Sequence, residues 1–191
     1  LHFGNYGGDL TRWLYFIFGI GGAFLFYSGN ILWIESRIKR QKNPQLAPVQ
    51  QRKDVRFIAN LSIGACLGCV FAVVVSMAIG RWGSLANLGL ESMNHLLVYS
   101  YYLIFIFSLI YSFMVGAAKA LPELLLAIAV VLSLVAPVSF IISLIASSPM
   151  TLWWIDLIAI VFALAFLRFY QQAKIRQCNA EAGAIWSKTS L

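Results

Sequence analysis

Charged residues are scarce in this sequence. Only 11% of its 191 residues are charged, while 61% are hydrophobic, and the mean hydropathy is +0.82. A soluble domain carries about 25% charged residues, so this chain has too little polar surface for one. The shortage of charge indicates an integral membrane protein.

Signatures of common soluble functions are also missing. The sequence contains no P-loop, no dinucleotide-binding fingerprint, no HExxH and no Gly-x-Ser-x-Gly, which argues against an ATPase or a hydrolase. Its three cysteines do not make an even disulfide framework. Cys66 and Cys69 form a Cys-x-x-Cys inside an apolar stretch, where thiols are more often small packing residues than a redox pair.

The net charge of +7 is explained by membrane topology. Most lysines and arginines flank apolar stretches, so we expect a lipid bilayer as partner and no nucleic acid. A hydrocarbon core about 30 Å thick needs roughly 20 apolar residues in a helix, and helices are expected because an open strand edge is unsatisfied in lipid. Five stretches qualify, at about residues 12–34, 57–79, 95–118, 121–146 and 152–170.

The positive-inside rule sets the predicted orientation. Basic residues crowd the segment between the first two spans and recur at Lys119 and in the C-terminal tail, which places these parts in the cytoplasm. We therefore predict an all-α, polytopic transmembrane helix bundle of about five spans, with the N-terminus periplasmic and the C-terminus cytoplasmic. Pro122 is expected at the tolerant start of the fourth span, and Pro137 is expected to kink that span.

The predicted organisation has four parts. They are a first transmembrane unit (1–40), a basic cytoplasmic loop (41–56), four further helices (57–170) and a cytoplasmic tail (171–191). The chain begins with leucine and has no signal-peptide pattern before its first span, so we expect it to be trimmed or to be part of a longer protein.

Glycines mark two helix faces. In the first span Gly19, Gly22 and Gly29 recur on one face, either for helix packing or for a flat group such as a porphyrin lying against it. In the second span Gly64 and Gly68 form a GxxxG pair, for which close helix packing is the prediction.

The two histidines of the chain are predicted to lie at one membrane level. His2 stands just before the first span and His95 begins the third. Imidazole is a usual axial ligand of haem iron, so the pair can clamp one haem, or each can pair with a histidine elsewhere. The alternative is that both are interfacial side chains with a polar tip.

Further polar residues accompany these histidines. Glu91, His95, Tyr99 and Tyr102 fall on one stripe of the third span, where the carboxylate can orient the imidazole ring and Tyr99 is a candidate cofactor contact. The alternative is that these aromatic residues form an interfacial belt at the membrane surface without a cofactor. Asp156, one turn into the fifth span, is costly in lipid unless it is solvated or paired, and Arg12 and Arg81 at the same face are its possible partners.

The first forty residues resemble the PepSY-associated transmembrane family, also called iron-regulated membrane proteins. The resemblance rests on His2-Phe3-Gly4, Gly7-Gly8, Arg12-Trp13-Leu14-Tyr15, Gly19, Ser28-Gly29, Leu32-Trp33 and the basic run from Arg37 to Arg40. It covers about a fifth of the chain. Later spans fit a longer branch of the family but carry less diagnostic sequence.

The resemblance implies a function. Members related to ferric-siderophore reductases resemble b-type cytochromes, in which membrane haems pass electrons outward to iron. It implies that a preceding half of the same protein, with an earlier helix and periplasmic PepSY-type domains, supplies further ligands. His2 matches the family's histidine before the helix; His95 matches no motif of the family and is a candidate by topology alone.

We therefore expect a bacterial inner-membrane protein that holds haem b and transfers electrons to ferric iron or a ferric siderophore, with His2 and His95 on the iron and Gly19, Gly22 and Tyr99 against the ring. The alternative is a non-enzymatic anchor or assembly module for periplasmic PepSY-type domains. A transporter ranks third because corresponding broken helices are absent from the sequence.

Overall fold

In the computed structural model of the protein, the chain divides into two compact units, residues 1–45 and 46–191. The structure describes residues 53–86, 89–146 and 153–179, together with isolated helical positions between residues 14 and 36. In the first unit the exposed residues Leu14, Phe18, Leu25 and Leu32 lie on one helix face by their spacing. An apolar face of this kind suits contact with lipid.

Four long helices make up the described part of the second unit. They are α1 (Lys53–Leu85), α2 (Leu90–Val115), α3 (Ala117–Ile145) and α4 (Trp153–Cys178). Each is long and apolar enough to cross a membrane, which confirms a multi-pass, all-helical membrane protein for the described residues. The predicted first span falls almost entirely outside them, so the count of five spans and the orientation stay predictions.

The helices are longer than the predicted spans. With its 33 residues, α1 extends about 50 Å at 1.5 Å per residue, well beyond a hydrocarbon core of about 30 Å. It takes in Lys53 and Arg56, and α4 continues past Tyr170 to Cys178. Hydropathy alone ends a span where polar residues begin, although the backbone hydrogen bonds continue through them.

The predicted spans 95–118 and 121–146 leave a break at residues 119–120, and this position of the break is wrong. Gly116 alone separates α2 from α3, with a φ of 87° and its N–H bonded to the Ser112 carbonyl at 3.0 Å. Only glycine adopts this backbone region without strain, so a single residue turns the chain and Lys119 lies in the first turn of α3.

The helices pack in the order α2, α1, α3, α4. Close contacts join α1 to α2 and α3, and α3 to α4, whereas no Cα atom of α1 comes within 8 Å of one in α4. The buried positions are mainly alanine, glycine and serine, and the large apolar side chains mostly face outward. Small residues allow close backbone approach where lipid removes the hydrophobic force between helices.

The predicted GxxxG packing between α1 and its neighbour is confirmed. A Cβ atom built on Gly64 would lie 3.1 Å from the Leu109 Cα of α2, and one on Gly68 would lie 2.8 Å from the Ser108 Cβ. At Gly68 a side chain would force the helices to shift, and at Gly64 it would fit only if α2 moved by a few tenths of an ångström.

Pro122 lies in the second turn of α3 and not at its tolerant first position. Since proline has no N–H, the Ala118 carbonyl one turn earlier has lost its helical donor. The Gln177 side-chain amide of α4 donates a hydrogen bond to that carbonyl. This bond joins α3 and α4 and repairs the backbone. Pro137 also lies inside α3, and its kink stays a prediction.

Replacing Gln177 with alanine should therefore lower the free energy of unfolding by about 1–2 kcal/mol, because a part-buried carbonyl loses its donor. In a Pro122→Ala background, where the backbone N–H returns, the same change should cost less than about 0.5 kcal/mol. Unfolding of the four proteins in mixed micelles measures this cycle. Gln172→Ala, at an exposed position of the same helix, is the control. Equal costs of Gln177→Ala in the two backgrounds would contradict this account.

Candidate functional site

His95 lies in the second turn of α2, which starts after the extended residue Gly89 (φ −60°, ψ 147°) and carries Glu91 in its first turn. Its side chain is exposed. The start of α2 lies beside the end of α1, since the Ser76 hydroxyl contacts the Ser100 hydroxyl at 3.3 Å. His95 is thus at the end of the bundle that the charge distribution predicts to be external.

The stripe predicted on α2 faces outward. Glu91, His95, Tyr99 and Tyr102 are all exposed, Tyr99 to 70% of its surface. The rings of His95 and Tyr99 stack with centroids 6.2 Å apart and an interplanar angle of 21°. Among the described residues no hydrogen bond joins Glu91 to His95, so Tyr99 and not the carboxylate contacts the imidazole.

The other predicted haem contacts lie outside the described residues. These are His2, Gly19 and Gly22, so the pairing of His2 with His95 and the contact of a porphyrin with the glycines stay predictions. Gly29, on the same predicted face, is described. It is exposed, and a Cβ atom there would meet nothing within 4 Å.

A buried ion pair lies at the same end of the bundle as His95. The Arg81 guanidinium of α1 donates from Nη2 to Asp156 Oδ2 of α4 at 2.8 Å, with the two side chains 7% and 6% exposed. Arg81 is one of the two partners predicted for Asp156, and the other, Arg12, lies outside the described residues. The backbones of α1 and α4 do not approach closely, so the long Arg81 side chain reaches the Asp156 carboxylate and links the two helices directly.

A buried apolar cluster lies one helical turn from this ion pair. Ala78 of α1, Val135 of α3 and Ala159 of α4 form a buried cluster, and Trp82 packs against it. The Trp82 indole N–H points to the Val135 carbonyl at 3.5 Å. The cluster brings three helices together one turn from Arg81 and Asp156.

The pair is not fully satisfied. Arg81 Nε and Asp156 Oδ1 are buried without a hydrogen-bond partner, and so is the Ser139 hydroxyl of α3. Sequence reasoning did not single out Ser139, since a serine in an apolar span usually bonds to its own helix. Pro137, two residues before Ser139, was the nearest sequence feature that marks this part of α3 as unusual.

Polar contacts at the opposite end hold the helices together. The Asn60 side chain of α1 accepts from the Ala117 N–H at 2.7 Å, and its backbone carbonyl accepts from the Ser112 hydroxyl at 2.8 Å. The Tyr111 hydroxyl donates to the Glu123 carboxylate. These contacts lie around Gly116, so they brace the turn between α2 and α3. An asparagine inside an apolar span was the signal that sequence reasoning passed over.

Cys66 and Cys69 are unbridged and half-buried. The Cys69 sulfur lies 3.4 Å from the Tyr101 hydroxyl of α2, which supports the packing interpretation. Across the described part of the chain, no group of three or more histidine, cysteine, aspartate or glutamate side chains is placed to hold a metal ion.

Comparison with known proteins identifies the first stretch. No curated protein and no solved structure gives a significant match to the chain. Residues 1–36 match the family described as the PepSY-associated TM region, which confirms the resemblance there. The chain is therefore a multi-pass membrane protein whose residues 1–36 are similar to the PepSY-associated TM region.

Proposed function

We propose that this protein holds haem b in the bacterial inner membrane and passes electrons outward to ferric iron or a ferric siderophore. The observation that carries the proposal is the position of His95. Its imidazole is exposed near one end of the bundle, on a face of α2 left open by the rest of the described structure. A nitrogen ligand there is free to bind a group that lies outside the four-helix packing.

The residues around His95 are compatible with a flat, mostly apolar group. The Tyr99 ring stacks with the imidazole, their centroids 6.2 Å apart, and adds aromatic surface beside the nitrogen ligand. Tyr102 and Leu103 continue the exposed face along α2 and supply apolar surface. The haem would bring one-electron chemistry between ferric and ferrous iron, and the protein would contribute ligation, orientation and burial.

The interior of the bundle does not offer such a place. Gly64 and Gly68 bring α1 and α2 into close contact, and no histidine lies between the helices in the described part of the chain. A haem held by His95 therefore belongs on the outer face of α2. His2, in the PepSY-associated region, is the second imidazole that the sequence supplies for it.

Haem binding should be tested on the full-length protein purified from its membrane. We expect a dithionite-reduced spectrum with the α band of a b-type cytochrome, and loss of at least half of that band in His95→Ala. Asn94→Ala, at the exposed neighbouring position, should keep the band. A folded wild-type protein without bound iron, or a His95→Ala variant with the full spectrum, would contradict the proposal.

The acceptor is tested separately. Once reduced, the protein should be reoxidised by a ferric siderophore added from outside to sealed proteoliposomes. Reoxidation by the same complex enclosed only in the lumen, with the protein oriented outward, would contradict the proposed direction.

A non-enzymatic anchor for PepSY-type domains is the second candidate function. It is favoured by the dense helix contacts, in which glycines, the Asn60 contacts and the Arg81–Asp156 pair join neighbouring helices. Such a bundle can anchor a periplasmic domain to the membrane, and this role requires no cofactor. A colourless protein that co-purifies with periplasmic PepSY-type domains would support this function over the first.

A further inference from the structure

Three buried polar atoms without partners come from three different helices. They are Arg81 Nε on α1, Ser139 Oγ on α3 and Asp156 Oδ1 on α4. A buried polar atom left without a hydrogen bond costs considerable free energy, and native structures contain few. Three such atoms at one place require an explanation.

The packing places these atoms at one level of the bundle. Ala78, Val135 and Ala159 meet in one cluster. Arg81 follows Ala78 by one turn, Ser139 follows Val135 by one turn, and Asp156 precedes Ala159 by one turn. Since α4 runs antiparallel to α1 and α3, all three steps lead toward the same end of the bundle and onto the same helix faces. The three side chains therefore converge just beyond the cluster.

The ion pair itself is incomplete. An arginine and a carboxylate usually form two parallel hydrogen bonds when geometry allows. Here one bond, from Nη2 to Oδ2, is made, and the second donor and second acceptor remain bare. This leaves an N–H donor and a carboxylate acceptor in the same buried place.

Ser139 also differs from the other buried serines that the structure describes. Ser108 donates to the Ile104 carbonyl of its own helix at 2.8 Å, and Ser112 donates to Asn60. The Ser139 hydroxyl makes no such bond: it is buried and has no hydrogen-bond partner. The hydroxyl is therefore available to another partner.

We propose that Arg81, Ser139 and Asp156 form a binding site for an ordered internal water. One water accepts from Arg81 Nε–H and donates to Asp156 Oδ1 and to Ser139 Oγ. Three partners are typical of a buried water, and this arrangement leaves none of the three atoms bare. A cation is disfavoured by the guanidinium and an anion by the carboxylate, whereas water both donates and accepts. The site is independent of haem.

Substitution of Ser139 distinguishes a hydrated site from a dry one by the sign of its effect. In a hydrated site, Ser139→Ala removes a water contact, and Tm of the full-length protein in detergent should fall by about 2–4 °C. In a dry site the same change removes an unsatisfied hydroxyl, so Tm should rise. A rise or no change would overturn the proposal.

The control is Ser133→Ala on the same helix. Its hydroxyl is exposed and donates to the Val130 carbonyl at 2.8 Å, so Tm should change by less than about 1 °C.

A high-resolution map of the protein in lipid nanodiscs tests the water directly. We expect a density peak at hydrogen-bonding distance from both Arg81 Nε and Asp156 Oδ1. An empty space there at a resolution that reveals other waters would overturn the proposal.

Discussion

Replacing Arg81 with methionine is expected to lower the free energy of unfolding by about 3–5 kcal/mol, because it leaves the Asp156 carboxylate buried without its cation. The change keeps much of the side-chain length and apolar volume, so it removes the charge more than the packing. Unfolding of the full-length protein in lipid–detergent mixed micelles, followed by tryptophan fluorescence, measures the loss.

Arg168→Met is the matched control. Arg168 lies on α4 like Asp156 but is exposed, and we expect a change within about 0.5 kcal/mol there. A loss below about 1 kcal/mol for Arg81→Met would mean that the pair lies in water and not in the bundle.

The double variant Arg81→Met/Asp156→Leu separates the two parts of this effect. With both charges gone, no buried ion lacks a partner, so most of the stability should return. A double variant as unstable as the single one would mean that the arginine acts through packing. The attraction between the two charges would then contribute little to holding α1 and α4 together.

The pair also illustrates how far the sequence predicts the polar contacts of this bundle. An aspartate in an apolar span requires a partner or water, and only Arg12 and Arg81 were available at its face. Hydropathy and charge thus reduced the choice to two residues. The sequence does not show which of them pairs with Asp156. Arg81 on α1 meets Asp156 on α4 although these two helices share no close backbone contact, so the packing order of the helices must be known.

Helix identity was predictable, but helix ends were not. Apolar length identified the four described spans, and GxxxG spacing correctly predicted close packing at Gly64 and Gly68. The turn at Gly116 was missed because its signal is one residue with positive φ in a sequence that is apolar on both sides. The Gln177 bond to Ala118 was missed for a similar reason: the need arises at Pro122, far from Gln177 in sequence.

The described residues include only part of the candidate haem site. The stripe from Glu91 to Tyr102 was correctly placed on one helix face, and that face is exposed. Periodicity identifies a polar face without saying what lies opposite it. His2, Gly19 and Gly22 lie outside the described residues, so the haem hypothesis rests on His95 and the PepSY-associated region.

Replacing Gly68 with leucine is the second change with a large expected effect, a loss of about 3 kcal/mol in the free energy of unfolding. A Cβ atom at this position would lie 2.8 Å from the Ser108 Cβ, which is fixed to the α2 backbone. The helices must therefore separate to admit the side chain. The same micelle unfolding experiment measures this loss.

Gly80→Leu is the control on the same helix. A Cβ atom there would meet only the Leu97 Cδ2, at 3.4 Å, and this end of a side chain can move. Leucine also favours a helix by roughly 0.8 kcal/mol over glycine, so Gly80→Leu should be neutral or slightly stabilising. Equal losses at Gly68 and Gly80 would indicate a general effect of leucine and not a close helix contact.

A compensating variant tests the contact itself. Gly68→Ala alone should destabilise the protein, because its Cβ meets the Ser108 Cβ, although alanine is the better helix former. Adding Ser108→Gly removes the opposing atom and should restore at least half of the loss, apart from the cost of a new glycine in α2. Restoration would show that the loss of stability comes from the contact between the Cβ atoms at positions 68 and 108. This is the result expected if small residues set the distance between α1 and α2. Failure of Ser108→Gly to restore any stability would contradict that explanation.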